Sequence, residues 1–329
     1  GKDGSSSNLV QRELNSTQRE AVYNFVVARS SGDAPHSLIG LAGSGKTGTL
    51  IEIALQYVAA RRRVLLVAPS DAAADVLVER LDEVLAAAAA TRRRWKKTVV
   101  VRVNEPTRDV GSVQAAVRVL RRSVVDKLTG AFALPTATQL RAAHVVVCTC
   151  ESSALLRHTF RGRGDGGGGG VMTNFFEAVL VDEAVQATIP EVLVPLTQAA
   201  PHARVLLVGD AHQLGARVRS AIARRHGLGV SLLETHLRAW AAASATTTST
   251  TSTTAAAAAA TNKLVWRKGH AATTATAAPS SPPRTHCTLL RRNYRSHPAL
   301  LRVSARLFYG DRHALVCSQR EVRSPTTVA

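Results

Sequence analysis

The stretch Gly40-Leu41-Ala42-Gly43-Ser44-Gly45-Lys46-Thr47 decides the fold, because it has the GxxxxGKT spacing of a phosphate-binding loop. The glycines of such a loop let successive backbone N–H groups curl around a phosphate, and the following helix adds its positive N-terminal end. The apolar pair Leu38-Ile39 precedes the loop, and apolar residues follow it at helical spacing. We therefore expect Lys46 to reach the β- and γ-phosphates and the Thr47 hydroxyl to bind Mg²⁺.

Short apolar runs continue to alternate with amphipathic stretches along the chain. The predicted strands are Ser37–Gly40, Val64–Ala68, Thr98–Val103, His144–Thr149, Ala178–Val181 and Arg204–Val208. Strands that alternate with helices indicate an α/β fold, a parallel sheet with helices on both faces. In such sheets ligands bind at the carboxyl ends of the strands, where the candidate motifs of this sequence stand.

Two further polar motifs each follow an apolar strand. Asp182 and Glu183 end the run Val179-Leu180-Val181, which places two carboxylates at the nucleotide edge of the sheet. Asp182 is suited to hold Mg²⁺, and Glu183 to polarise an attacking water. Gln213, in the turn after the run that ends at Val208, could orient water or sense the γ-phosphate through its amide.

Charge and cysteine content bound the class of protein. Lys and Arg outnumber Asp and Glu by 42 to 23, a net charge of +19, which favours a polyanionic partner, although an Arg-rich genome would give the same excess. The cysteines form neither a disulfide framework nor a zinc pattern, and we interpret them as buried thiols of an intracellular protein. No apolar run approaches membrane-spanning length, so we expect no membrane partner. The cysteines are Cys148, Cys150, Cys287 and Cys317.

The order of these motifs resembles the superfamily 1 helicases, which have two RecA-like domains and use ATP and Mg²⁺. By this resemblance, Gln18 in Leu14-Asn15-Ser16-Thr17-Gln18 would hydrogen-bond adenine. Ser70, Asp71 and Thr149 would contact the nucleic-acid backbone, although the family usually has Asn where this chain has Asp71. In the segment Asn293-Tyr294-Arg295-Ser296-His297-Pro298, Tyr294 would stack on adenine and Arg295 would reach the γ-phosphate as an arginine finger.

Together, the motifs and the resemblance give a set of candidate site residues. The expected catalytic residues are Lys46, Asp182, Glu183, Gln213 and Arg295. The expected nucleotide-binding residues are Gln18, Gly43, Ser44, Gly45, Lys46, Thr47, Gly48 and Tyr294, with Thr47 and Asp182 as the Mg²⁺ ligands. The expected nucleic-acid contacts are Ser70, Asp71 and Thr149.

Composition changes divide the chain into segments. We expect a polar tail over residues 1–13, a RecA-like ATP-binding domain over 14–240 with insertions near 86–97 and 158–173, and a low-complexity disordered linker over 241–283. Residues 284–329 would begin a second RecA-like domain. Because motifs V and VI do not follow, we expect this chain to bind ATP weakly, to hydrolyse it slowly and to unwind nothing.

Three strings place the resemblance nearest the Armitage-type RNA helicases, within the up-frameshift-like group. They are Arg108-Asp109-Val110, His226-Gly227-Leu228-Gly229 with Ser231-Leu232-Leu233-Glu234, and Asn293 to Pro298. The resemblance implies an ATP-dependent RNA helicase that moves 5′→3′ on single-stranded RNA, with partners from RNA silencing or mRNA decay. We expect a cytoplasmic location, with a nuclear one as the alternative. A DNA helicase or another up-frameshift-like helicase stays open as an alternative function, and a non-catalytic nucleic-acid-binding fragment as a second one.

Overall fold

A computed structural model describes residues 10–11, 13–27, 34–113, 116–159, 175–248, 286–297, 301 and 316–317. Its helices and strands alternate along most of this length, as the sequence predicts. The helices are α1 Ser16–Val26, α2 Lys46–Ala59, α3 Asp71–Thr91, α4 Val117–Arg122, α5 Ala137–Ala142, α6 Leu156–Thr159, α7 Ile189–Leu196, α8 Ala221–Arg225 and α9 Leu232–Thr248. The strands are β1 His36–Gly40, β2 Val64–Ala68, β3 Val100–Arg102, β4 Val145–Thr149, β5 Phe176–Val181, β6 Ala199–Gly209, β7 His286–Leu290, β8 Arg292–Asn293 and β9 Val316–Cys317.

Strands β1 to β7 form one sheet in the order β3-β4-β2-β5-β6-β1-β7, and every pairing in it is parallel. Since all strands run the same way, their carboxyl ends lie at one edge of the sheet. The central strands β2 and β4 are buried along their whole length, as expected for a parallel sheet covered on both faces. The α/β fold predicted from the sequence is confirmed.

Each face of the sheet has its own apolar core. One core joins Leu50 and Leu55 of α2 with Leu77 and Leu81 of α3. The other joins strand side chains such as Val181 with residues from α5, α7 and α9. Alternate side chains of a strand point to opposite faces, so the same strands supply both cores. The sheet edge that carries the motifs is thus held rigidly between two helical layers.

The segment predicted as an insertion near residues 86–97 is helical and packs against the first apolar core. Ala86–Ala90 continues α3, which runs to Thr91, and alanine has the highest helix propensity of any residue. A 3-10 helix, Arg93–Lys97, follows, and its Trp95 is buried against the first apolar core. Most of the other predicted insertion, 158–173, lies outside the described residues.

The predicted ends of the core domain also differ from the structure. The buried carboxylate of Glu52 accepts hydrogen bonds from the backbone N–H of Val10 (2.9 Å) and Gln11 (2.8 Å), so the end of the predicted polar tail docks on α2. Helix α9 extends eight residues into the predicted linker, to Thr248, and the rest of that linker lies outside the described residues. His286–Leu290, expected in a second domain, forms the edge strand of the first sheet beside β1.

No helix in the described part of the chain is both long and apolar enough to cross a membrane.

Candidate functional site

The loop between β1 and α2 has the backbone of a phosphate-binding loop. Gly43 (φ 81°) and Gly45 (φ 85°) adopt left-handed conformations that glycine enters without steric cost. Lys46 is buried inside the loop, where its Nζ donates to the carbonyl oxygens of Gly40 (2.8 Å) and Leu41 (3.2 Å). The ammonium group therefore lies within the loop that a phosphate would enter.

Thr47 and Asp182 meet at the end of β5, as the sequence predicts. The Thr47 hydroxyl donates to Asp182 Oδ2 over 3.2 Å, and both follow strands that end at the same edge of the sheet. Asp182 is 5% exposed, and burial is the main cause that raises its pKa to about 6. The nearby Glu183 carboxylate raises this pKa further, whereas the Glu183 N–H, Lys46 and Thr47 lower it.

The donor set at this position fits a hydrated magnesium ion that carries a phosphate. Hydroxyl and carboxylate oxygens are the ligands that Mg²⁺ prefers, and one or two protein ligands are usual because the ion keeps several waters. The buried Ser44 hydroxyl oxygen in the adjacent loop has no hydrogen-bond partner among the residues that the structure describes. Buried hydroxyl groups rarely stay unpaired, so this atom fits a site where a ligand oxygen would arrive.

Glu183, which follows the candidate metal ligand Asp182, has a strained backbone conformation. Its φ of 50° and ψ of 37° are left-handed, which is costly for a residue with a Cβ. The turn is held by a hydrogen bond from the Glu183 N–H to Asp182 Oδ1 (3.0 Å) and by a 3-10 helix, Ala184–Gln186. Such strain is typical of residues whose side chain must point in one functional direction.

Gln213 lies in the turn that follows β6, the strand between β5 and β1 in the sheet. The buried Asp210 organises this turn, because its carboxylate accepts from the His212 N–H (3.1 Å) and from Gln213 Nε2 (3.2 Å). The strand order thus brings Gln213 to the edge that carries Lys46 and Asp182. Its role in sensing a phosphate stays a prediction.

Gln18 and Tyr294 lie on either side of a short hydrogen-bonded chain at the N-terminus of α1. Asn15 caps this helix by accepting from the Gln18 N–H (2.9 Å), and its Nδ2 donates to the Tyr294 hydroxyl oxygen over 2.6 Å. Gln18 Nε2 donates to Ser44 O (3.2 Å) in the phosphate-binding loop. The sequence interpretation did not assign a role to Asn15, although its place just before a helix signals a capping residue. The predicted adenine contacts of Gln18 and Tyr294 stay predictions.

The turn that carries Arg295 packs directly on the phosphate-binding loop. Asn293 Nδ2 donates to Ala42 O (2.7 Å), and the Tyr294 N–H donates to Gly43 O (2.8 Å). A Cβ placed on Gly43 would collide with the Cβ of Arg295, so this position needs glycine for space as well as for φ. The structure therefore brings Arg295 to the nucleotide loop, while its action on a γ-phosphate stays a prediction.

The predicted nucleic-acid contacts lie where β2 and β4 end, in the other half of the sheet, and their side chains also form contacts within the protein. Ser70 caps α3 by accepting from the Ala73 N–H (3.3 Å). The Thr149 hydroxyl lies 2.7 Å from the Ser152 hydroxyl and also accepts from the Ser152 N–H (2.9 Å), so this side chain closes the turn after β4. Their contacts with a nucleic acid stay predictions.

Asp71 belongs to a cluster of two acidic and two basic side chains, which we call the charge cluster. Arg102, whose side chain is completely buried, pairs with Asp71 (2.7 Å) and Asp75 (2.9 Å). Arg108 pairs with Asp75 over 2.5 Å and approaches Asp71 at 3.5 Å. The unusual acidic residue at position 71 thus has cationic partners from β3 and the loop after it. Sequence reasoning missed Arg102 because it lies within an apolar strand.

Comparison with known proteins finds a matching family profile and similar helicases. The profile of the AAA domain family matches residues 13–130 and 107–221. The RNA helicase Mov10l1 of Mus musculus is 31% identical over 315 residues, which cover 94% of this chain and 22% of that protein. The probable RNA helicase armi of Drosophila melanogaster is 27% identical over 95% of this chain and 24% of its own length. The chain thus spans about a quarter or less of the length of these relatives.

Among solved structures, the DEAD-box helicase Mss116 bound to ssRNA and UDP-BeF covers 60% of this chain and 35% of its own, at 12% identity and a TM-score of 0.39. The UvsW helicase from bacteriophage T4 covers 66% of this chain and 58% of its own, at 14% identity and a TM-score of 0.35. Because the family profile spans more than half of the residues, this chain belongs to the AAA domain family, and its sequence is similar to those of the RNA helicases Mov10l1 and armi.

Proposed function

We propose that this chain is the nucleotide-binding core of an ATP-dependent RNA helicase that moves 5′→3′ on single-stranded RNA. The observation that carries the proposal is the meeting of the Thr47 hydroxyl and the Asp182 carboxylate, 3.2 Å apart, beside the loop that holds Lys46. This arrangement brings a cation, a metal ligand pair and a glycine-lined loop to one place. Relatives named as RNA helicases, which match most of this chain, support the choice of RNA.

Each side chain of the site has a defined task in this proposal. Mg²⁺, when bound to Thr47 and Asp182, neutralises charge on the triphosphate. Lys46 leaves the carbonyl oxygens of Gly40 and Leu41 for the β- and γ-phosphates, and backbone N–H groups of residues 43–48 surround the same phosphates. Glu183 accepts the proton of the attacking water. Gln213 orients that water from the neighbouring strand.

The remaining residues bind the base, the γ-phosphate and the nucleic acid. Tyr294 stacks on adenine and Gln18 hydrogen-bonds its edge, once its amide exchanges the Ser44 carbonyl for the base. Arg295 offers its guanidinium to the charge that develops on the γ-phosphate. Ser70, Thr149 and the neutralised Asp71 guide the RNA backbone along the other half of the edge.

The exposed surface beyond Gln213 supports a polyanionic partner. Arg217, Arg219 and Arg225 are exposed, and the sequence has no acidic residue between Asp210 and Glu234. An RNA strand that crosses the carboxyl edge of the sheet would meet this surface, and each phosphate contact would release counterions. Protein partners from RNA silencing or mRNA decay follow from the same relationship.

We also propose a cytoplasmic location. Cys148, Cys150 and Cys287 are free thiols, and burial raises the pKa of Cys150 and of Cys287 to about 12, which keeps them protonated and unreactive. Thiols of this kind suit a reducing compartment.

Nucleotide-dependent RNA binding tests the proposal. The affinity of the chain for a fluorescent single-stranded RNA is measured by anisotropy, without nucleotide, with ADP and with a slowly hydrolysed ATP analogue. We expect the ATP analogue to change the affinity of the parent at least about threefold and that of Lys46→Ala not at all, because the coupling of two sites is typically about 1–3 kcal/mol. Equal RNA affinity in all three states of the parent would support a non-catalytic nucleic-acid-binding function instead.

Competition with matched DNA tests the choice of RNA. We expect unlabelled RNA to displace the labelled strand more effectively than DNA of the same sequence, because only contacts with the 2′-hydroxyl distinguish the two. Equal displacement by both strands would favour a helicase that also acts on DNA.

A further inference from the structure

Asn293 is buried far more deeply than the two functional candidates that follow it. It is 1% exposed, whereas Tyr294 is 47% exposed. The residue stands at the end of β8, shortly after the edge strand β7 leaves the sheet. A buried amide needs partners for its donors and its acceptor, so its hydrogen bonds show what it holds in place.

The donor side of Asn293 grips the phosphate-binding loop. Its Nδ2 donates to Ala42 O over 2.7 Å, and the N–H of the next residue, Tyr294, donates to Gly43 O over 2.8 Å. Two consecutive residues are therefore bound to two consecutive carbonyl groups of the loop. A shift of the loop would pull this segment with it.

The acceptor side of Asn293 shapes the turn that carries Arg295. Its Oδ1 accepts from the N–H of Arg295 (2.9 Å) and of Ser296 (2.8 Å), which is the pattern of an Asx turn. This turn brings the Cβ of Arg295 so close to Gly43 that no side chain fits there. One side chain thus fixes both the loop and the direction in which Arg295 leaves the backbone.

We infer that Asn293 is a positioning residue that ties the turn of Tyr294 and Arg295 to the phosphate-binding loop, so that Arg295 stays aligned with the third phosphate. The inference rests on the proposed nucleotide site and adds to it a residue that does not itself touch the nucleotide. Because Arg295 distinguishes a triphosphate from a diphosphate, loss of the tie should weaken ATP binding more than ADP binding.

Two substitutions remove the hydrogen bond from Asn293 to Ala42 O in different ways. Together they distinguish its effect from that of the Asx turn and from that of an added charge. Asn293→Asp keeps the size and the Asx-turn acceptor, but its carboxylate cannot donate to Ala42 O. Asn293→Ser is neutral and keeps a weaker turn acceptor, but is too short to reach Ala42. The matched control is Asn104→Ser. The Asn104 amide is also buried and hydrogen-bonded to other side chains. It follows β3, however, and β3 and β7 are the two outermost strands on opposite sides of the sheet.

The measured quantity is the ratio of dissociation constants for ADP and a slowly hydrolysed ATP analogue, from displacement of a fluorescent nucleotide with Mg²⁺ present. We expect both Asn293 variants to lower this preference for the triphosphate about fivefold, the typical effect of one buried hydrogen bond. Asn104→Ser should keep the parental ratio. Denaturant unfolding of each variant shows that the compared chains are folded, and the neutral Asn293→Thr, which also keeps a hydroxyl as turn acceptor, replaces the serine variant if that one is not.

Different results would overturn the inference in recognisable ways. An unchanged ratio in both Asn293 variants, or a loss in Asn293→Asp with none in folded Asn293→Ser, would contradict it, because the latter pattern reflects added charge. Equal weakening of ADP and ATP binding would show a merely structural role. If the parent itself bound no nucleotide, or bound it as Lys46→Ala does, the proposed function would fail. If the parent binds nucleotide, Lys46→Ala does not, and both Asn293 variants keep the parental ratio, only the positioning role of Asn293 would be contradicted.

Discussion

Two groups of charged side chains lie at the carboxyl ends of the strands, and they differ in whether their charges are paired. In the charge cluster, the buried guanidinium of Arg102 is paired with both Asp71 and Asp75. At the nucleotide site, no salt bridge among the described residues includes Asp182, and burial raises the pKa of its carboxyl to about 6. Charges that stabilise the scaffold are therefore paired within the protein. At the nucleotide site, by contrast, the ionised form of the buried carboxyl stays unfavourable until a ligand binds.

Removal of Arg102 should have the largest effect on stability. Arg102→Met removes the buried cation from the charge cluster and leaves Asp71 and the largely buried Asp75 with Arg108 alone, so we expect the free energy of unfolding to fall by about 3 kcal/mol. Urea denaturation followed by circular dichroism measures the change.

The control for this change is Arg80→Ala, which breaks the pair of Arg80 with Glu83 on the exposed surface of α3. Surface pairs contribute about 0–1 kcal/mol, so this variant should unfold almost as the parent does. Similar unfolding midpoints for Arg102→Met and Arg80→Ala would show that the charge cluster does not hold the scaffold.

At the nucleotide site, we expect a substitution to raise the free energy of unfolding rather than to lower it. Because burial disfavours the ionised carboxylate, Asp182→Asn should raise the free energy of unfolding at pH 7 by about 2 kcal/mol in the absence of nucleotide. The asparagine can keep the contacts with Thr47 and with the Glu183 N–H. Thermal or urea unfolding at pH 7 measures this gain, while binding of magnesium nucleotide should be lost.

The gain should depend on pH in a defined direction. The native carboxyl pKa of about 6 lies above the ordinary aspartate value of 3.8, so the unfolded chain binds fewer protons between these values. This group's contribution to stability therefore falls as pH rises through that window. The difference between Asp182→Asn and the parent should therefore be small at pH 4 and full near pH 7. A gain that is equal at both values would contradict the raised pKa.

The smallest predicted effect on stability compares backbone strain at the nucleotide site with backbone strain outside it. Glu183 (φ 50°) and Arg61 (φ 60°) are the non-glycine residues with left-handed backbone in the described chain. Glycine at either place relieves strain but adds entropy to the unfolded state, so each variant should gain only about 0.5 kcal/mol. Only Glu183→Gly should abolish ATP turnover. A loss of turnover in Arg61→Gly as well would mean that strain itself, rather than the Glu183 carboxylate, matters to the chemistry.

The sequence predicted those features that depend on local spacing. Glycine positions fix the conformation of the phosphate-binding loop, and apolar runs that end in Asp182 or Gly209 fix where strands stop. Because parallel strands present their carboxyl ends together, the meeting of Thr47 and Asp182 followed from the order of motifs and was confirmed over a distance of 3.2 Å. The order of motifs therefore predicted which strand ends lie together, while the chemical roles of the site residues stay predictions.

Contacts between residues distant in sequence could not be predicted in this way. Arg102 stands in an apolar strand and gives no periodic signal of its ion pairs with α3. The hydrogen bonds of Asn293 to Ala42 and of Asn15 to Tyr294 join residues more than 200 positions apart, so no local pattern reveals them. The continuation of α3 through the alanine run after Leu85 was not predicted, because low complexity and high helix propensity look alike in sequence.

The most direct test of the central claim is the magnesium dependence of nucleotide binding. Binding of a fluorescent, slowly hydrolysed ATP analogue is titrated in Mg²⁺ and in EDTA, for the parent chain and for Asp182→Asn. If Thr47 and Asp182 hold the metal beside Lys46, the parent should bind at least about tenfold more tightly in Mg²⁺, and Asp182→Asn should lose most of that difference. Equal affinity of the parent in both buffers, or an unchanged magnesium effect in the variant, would contradict the assignment of this site.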